Sequence, residues 1–182
     1  MLSGSEPPLP NSWYLTLFHF NSRKTHTDVA QQTNCLTELL PEALLQAQAA
    51  DEFIKRTGRT LGPLHGLPVS LKEQIAVRGH RTNAGFVAWT DRVTQHDANL
   101  VTSLKSLGAI PFARTNQPQS FMHLETSNNI YGVTVNSRNR SLTAGGSSGG
   151  EAALMVLGGS PLGIGGDIGG SIRSPAAQNG VS

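Results

Sequence analysis

Gly145 to Ala177 reads GGSSGGEAALMVLGGSPLGIGGDIGGSIRSPAA, and this stretch decides what kind of fold the chain must have. Twelve of the chain's 20 glycines fall between Ser141 and Ser182, a window with only three charged residues, Glu151, Asp167 and Arg173. A solvated loop is not so poor in charge, so the backbone here has to approach other groups closely in water-poor surroundings. Between the Gly-rich turns, EAALMVL (151–157) is an apolar run of helix formers and predicts a buried helix. PLGIGGD (161–167) predicts a strand or extended loop, and a short helix is expected to start at Ser171.

Moving towards the N-terminus, the same alternation recurs. Pro41 to Arg56 is built of helix formers, with Pro41 suited to a first turn and Gly58 to the stop. GPLHGLPVSLKE (62–73) then reads as a turn and a short buried strand, Pro68 to Lys72. Asp97 is placed to cap a second helix in which Leu100, Val101, Leu104 and Leu107 share a face and which Gly108 ends. AIPFAR (109–114) follows as a strand, completing a strand–helix–strand unit. Helices alternating with short, nearly continuous apolar strands indicate an α/β layered fold. Residues 1–32 show no sustained periodicity and are expected to be an irregular segment.

The 182 residues suit one domain of ordinary size or a piece of a larger one. Only 14% are charged, which argues against disorder, and the net charge of +2 comes without any Lys/Arg run. No nucleic-acid partner is therefore expected. The single cysteine, Cys35, leaves no internal disulfide and no CxxC pair, and the six histidines lack metal-ligand spacing. No stretch approaches 18 apolar residues, so no transmembrane segment is expected. The apolar run WYLTLFHF (13–20) is short, follows Glu6 rather than a basic region, and reads as non-secretory. A cytoplasmic location is the expectation.

Three features bear on chemistry. Lys72 ends an apolar strand; it is either solvated there or drawn inside, where burial disfavours the ammonium and makes the amine a base. GGSSGG satisfies G-x-S-x-G twice, around Ser147 and Ser148, but the last histidine is His123, upstream, so a Ser–Asp–His hydrolase order fails. The dinucleotide fingerprint fails at Ile168, and no phosphate-binding GxxxxGK[ST] is present. In DIGGSIR (167–173), Ser171 is either a helix cap or a nucleophile whose own turn supplies backbone donors.

Taken together, LKE at Lys72, GGSSGGEAALM, and GGSPLGIGGDIGGSIRSPAA resemble the amidase signature family. Lys72 and Ser147 lie 75 residues apart and Ser147 and Ser171 lie 24 apart, in agreement with it. The resemblance starts near TNCLTE (33–38) and runs to the end. TNQPQSFMHLETSNNIYGVTVN (115–136) is most similar to fatty-acid amide hydrolases and fungal acetamidase-type enzymes. It implies a three-layer α/β/α fold with a central mixed sheet, incomplete at the C-terminal side, with residues 33–182 as the N-terminal part of the domain. It further implies an amide hydrolase with Ser171 as nucleophile, Ser147 beside a cis peptide bond as proton shuttle, and neutral Lys72 as base. The N–H groups of Ile168, Gly169, Gly170 and Ser171 are the implied oxyanion hole. Ser148, Asp167 and Arg173 are implied supports of that turn, and Phe121 aligns with a position near the acyl pocket, although a core role suits it equally. His65 and His123 fit core or surface roles better than catalysis, and Cys35 fits a buried one. The implied mechanism uses no metal and no cofactor, the implied partner is a small-molecule amide, and a homodimer is possible for the full-length form.

Family members are much longer and build their pocket partly from sequence beyond the nucleophile motif. The expectation is therefore a truncated product or gene model, with little activity when expressed alone. The alternative is a catalytically inactive homologue with a binding or structural role.

Overall fold

A computed structural model describes residues 32–182. The expected irregular segment 1–32, with WYLTLFHF inside it, lies outside the described residues except for Gln32. In chain order the elements are β1 (Leu36–Leu39), α1 (Ala43–Thr57), β2 (Pro68–Lys72), α2 (Asn99–Ser106), β3 (Ile110–Thr115), β4 (Ser127–Asn128), β5 (Gly132–Val133), α3 (Gly149–Val156), β6 (Gly163–Ile164) and α4 (Arg173–Asn179).

β1, β3, β2 and β6 form one sheet in that order. β2 runs parallel to both β3 and β6, and β1 runs antiparallel to β3, so the sheet is mixed as expected. The β2–α2–β3 crossover is the strand–helix–strand unit read from the sequence. All residues of β2 and β3 are buried, as the absence of polar alternation requires for strands covered on both faces. Their side chains still alternate. Val69 and Leu71 join Val101 and Leu104 of α2 in one core cluster. Ser70 and Lys72 point the other way, towards α3. Ile110, Phe112 and Ala113 pack on Ala43 and Ala47 of α1 in a second cluster. The result is helices on both sides of a four-stranded sheet.

One expected cap is not made, and one helix starts later than expected. Ala98, in extended conformation, holds the N-cap position of α2. The Asp97 carboxylate instead accepts the Arg78 N–H and Lys105 Nζ, both at 2.7 Å, because a fixed cation outbids a helix end one residue too far along. Within α2 only Val101 and Leu104 are buried; Leu100 and Leu107 flank an apolar stripe too narrow to include them in an eight-residue helix. At the other end, α4 begins at Arg173 rather than at Ser171, and Asp167 accepts the N–H groups of Ile172 and Arg173.

α3 enters the sheet through glycine. A Cβ on Gly150 would lie 2.5 Å from Asn116 N, 2.6 Å from Asn116 O and 2.7 Å from Cys35 O. Only a bare backbone lets this helix start so close to β3.

Candidate active site

Lys72 is the last residue of β2, 1% exposed, and its Nζ donates to Ser147 Oγ at 2.6 Å. Burial pulls this ammonium down to about 8, against the pull of the Glu151 and Asp167 carboxylates, which favour the charge. Ser147 follows a cis Gly146–Ser147 peptide and leads into α3, with Ser148 as the N-cap residue. The Ser148 N–H donates to the Ser171 carbonyl at 3.0 Å, which brings the DIGGSIR turn against the GGSSGG turn. Ser147, Ser148 and Ser171 are all buried. Lys72 and Ser147 are thus joined directly. Ser171 reaches the same place through its backbone, and its hydroxyl makes no hydrogen bond to either of them among the described residues.

Asp167 organises the turn that carries Ser171. Its carboxylate accepts N–H bonds from Gly170 at 2.7 Å, Ile172 at 2.9 Å and Arg173 at 3.2 Å, and the Arg173 guanidinium forks onto it at 3.0 Å. These donors hold the Asp167 carboxyl well below the usual carboxylate range. The Arg173 side chain is 76% exposed, so the ion pair itself contributes little beyond geometry. One of the four expected oxyanion donors is spent here: the Gly170 N–H faces Asp167. The amides of Ile168, Gly169 and Ser171 donate to no protein acceptor among the described residues. Gly170 sits at φ +117°, a conformation that L side chains rarely adopt.

Phe121 does not join the core. Its ring centroid lies 5.9 Å from Lys72 Nζ, and with Met122, Leu124 and Ile168 it lines a cavity of about 200 Å³ that reaches Ser171. A larger cavity of about 520 Å³ between α1 and the α2–β3 turn holds neither Lys72 nor any of the three serines. His65 is buried, its Nδ1 accepting the Leu61 N–H, and His123 is exposed on the rim of the smaller cavity. Cys35 is buried, which pushes its thiol up to about 11. Among the described residues no group of three or more His, Cys, Asp or Glu side chains could hold a metal ion.

Glu151 was not legible as a site residue from sequence. It is 4% exposed, and its two oxygens accept the Ser70 and Thr115 hydroxyls at 2.6 and 2.8 Å. Burial pushes its carboxyl up to about 7. The available signal was a lone carboxylate opening an otherwise apolar helix, a residue type that is almost never buried without a partner.

The amidase family model matches residues 22–182 of the chain. The chain belongs to the amidase family. An acetamidase of Emericella nidulans is 48% identical over 153 residues, 83% of this chain and 28% of that protein. Amidase 2 of Gibberella moniliformis is 47% identical over 166 residues, 91% of this chain and 32% of that protein. The solved structure of a fatty acid amide hydrolase superposes with a TM-score of 0.88 at 43% identity, covering 92% of this chain and 29% of that one. This amidase-family chain therefore spans less than a third of the length of these relatives. No helix among its described residues is long and apolar enough to cross a membrane.

Proposed function

We propose that the chain carries the acylation machinery of an amide hydrolase, which cleaves a linear amide into a carboxylic acid and ammonia or an amine. The observation that carries this reading is the 2.6 Å Lys72–Ser147 bond, buried and adjoining the turn of a second serine, Ser171. A lysine serves as a base only when neutral, and burial moves Lys72 in that direction.

Ser171 Oγ attacks the amide carbonyl while its proton passes to Ser147 Oγ and the Ser147 proton passes to Lys72 Nζ. The carbonyl oxygen becomes an oxyanion, held by the free amides around Ile168, Gly169 and Ser171; one such donor is worth about 3 kcal/mol of barrier. Collapse breaks the C–N bond, and the leaving nitrogen takes its proton from the same relay. An acyl ester on Ser171 remains, and water, deprotonated through Ser147 and Lys72, hydrolyses it. Asp167 keeps the turn in place. The cavity lined by Phe121, Met122, Leu124 and Ile168 receives the apolar part of a small-molecule amide. The acetamidase and fatty acid amide hydrolase names of the relatives agree with amide chemistry and bracket acyl groups of very different size.

A fluorophosphonate probe, which reacts with an activated serine, tests this. Labelling is expected on Ser171 and is expected to vanish in Ser171→Ala. Ser147→Ala should leave labelling slower by roughly 10²–10⁴-fold, the usual share of a proton-transfer group. Labelling that survives in Ser171→Ala and vanishes in Ser147→Ala would make Ser147 the nucleophile. No labelling of a full-length protein carrying these residues would favour a non-catalytic role.

A further inference from the structure

Glu151 is one of several buried ionisable groups that the relay leaves unused among the described residues. Glu151 lies in the first turn of α3, and its carboxylate is bonded to two hydroxyls that bracket Lys72. Ser70 is two residues before Lys72 on β2, hence on the same face of the sheet, and Thr115 is the β3 residue paired with Lys72 in the parallel register. A carboxylate held by both hydroxyls lies on the lysine's side of the sheet and within electrostatic reach of it, with no direct ion pair between the two among the described residues. Both groups are almost entirely out of water, where opposite charges interact strongly.

We propose that Glu151 is the buried counter-charge of Lys72, a positioning residue that locks the β2–β3 pair carrying the lysine and decides at which pH its ammonium gives up the proton. This rests on Lys72 being the base of the proposed reaction. The surroundings of the pair are short of other charges. Lys72 is faced by Glu151 from α3, by Asp167 from the loop before α4, and by the uncharged Ser147 and Phe121. Glu151 is faced by Lys72 and Ser70 from β2, by Thr115 from β3, and by the Cys35 thiol ahead of β1. Glu73 and Arg114, the next charged residues along the same strands, pair with each other, and Arg114 also pairs with Glu38. A carboxylate that is ionised next to Lys72 keeps the amine protonated, and one that holds its own proton releases it. The two groups therefore titrate as a pair.

The Lys72 Cε resonance of ¹³C-lysine-labelled chain, followed by NMR against pH, reads the coupling directly. Glu151→Gln keeps the side-chain shape and removes the charge, so the Lys72 midpoint should fall by about one pH unit or more. The pH at which fluorophosphonate labelling reaches half its maximum should fall with it. Thr115→Val leaves the carboxylate but removes one donor that stabilises its ionised form. It should shift the Lys72 midpoint in the same direction by a smaller amount, and it decides the matter if Glu151→Gln does not fold. A lower melting temperature with an unmoved or raised Lys72 midpoint would overturn the proposal and leave Glu151 a strand–helix staple. A lowered midpoint with an unchanged labelling profile would uphold the counter-charge and instead remove Lys72 from its role as base.

Discussion

Lys72 has no water to share its charge with, and this gives its pH behaviour a sign. With burial drawing the ammonium down to about 8, the neutral amine is the minor species below that pH and the major one above it. The rate of Ser171 acylation should therefore rise about tenfold per pH unit up to that point and level off beyond it. Lys72→Ala should be slow at all pH values and lack this rising limb. A stopped-flow or gel-based labelling series between pH 6 and pH 10 measures both, and an unchanged profile in Lys72→Ala would exclude it as the base. Ser147 needs no shifted acidity, because a hydroxyl between a nucleophile and a base accepts one proton as it gives up another.

At the scale of elements, two turns hold the serines, and each depends on a different kind of fit. The start of α3 depends on space. Adding one methyl group at Gly150 pushes it against the backbone of Asn116 and Cys35, none of which can rotate away. Gly150→Ala is expected to destabilise the chain by about 1–3 kcal/mol, seen as a lower urea midpoint with an unchanged slope. The turn before α4 depends on donors. Asp167→Ala would release three backbone N–H groups at once, one of them Gly170's. Labelling of Ser171 should drop by at least roughly tenfold, since a capping bond is typically worth about 1 kcal/mol and three act here together. The melting temperature should change much less, because Ile168, Ile172 and Arg173 are exposed and little core rests on this turn. An unchanged labelling rate in Asp167→Ala would mean that the turn is held by other means.

The whole molecule shows a site that is well supported from below and open from above. Beneath the serines lies the sheet, with Val69 and Leu71 fully buried. Above them Ile168 is 85% exposed and Met122 75% exposed, and a Cβ at Gly169 would meet nothing within 4 Å. Leu39, Leu45, Leu61 and Leu100 add further exposed apolar surface, near β1, α1 and α2. Residues 1–182 expressed alone should accordingly bind a hydrophobic dye such as ANS and turn over simple amides poorly, because donors that stabilise a transition state must be held to within roughly half an ångström. A sharp melting transition with no dye binding and steady turnover would show that the chain needs no further packing around its site.

The sequence by itself was enough for the layered α/β order and the β2–α2–β3 unit, and it suggested the grouping of Lys72, Ser147 and Ser171. The first two follow from local pattern: apolar runs such as LPVSLK and AIPFAR and the helix formers from Glu42 to Arg56 act through near neighbours along the chain. The grouping came from motif resemblance, since nothing in periodicity brings together residues 75 apart. Tertiary structure alone decided which donors are free. Asp97 turned to the Lys105 side chain rather than to the N-terminus of α2, Asp167 took the Gly170 amide, and Phe121 faced a cavity rather than the core. It also exposed Glu151, read from sequence only as the opening residue of an apolar helix. Hydrogen-bond partners of this kind are settled by competition among groups far apart in sequence, and burial, which sets the acidity of Lys72 and Glu151, exists only once the helices have closed over the sheet.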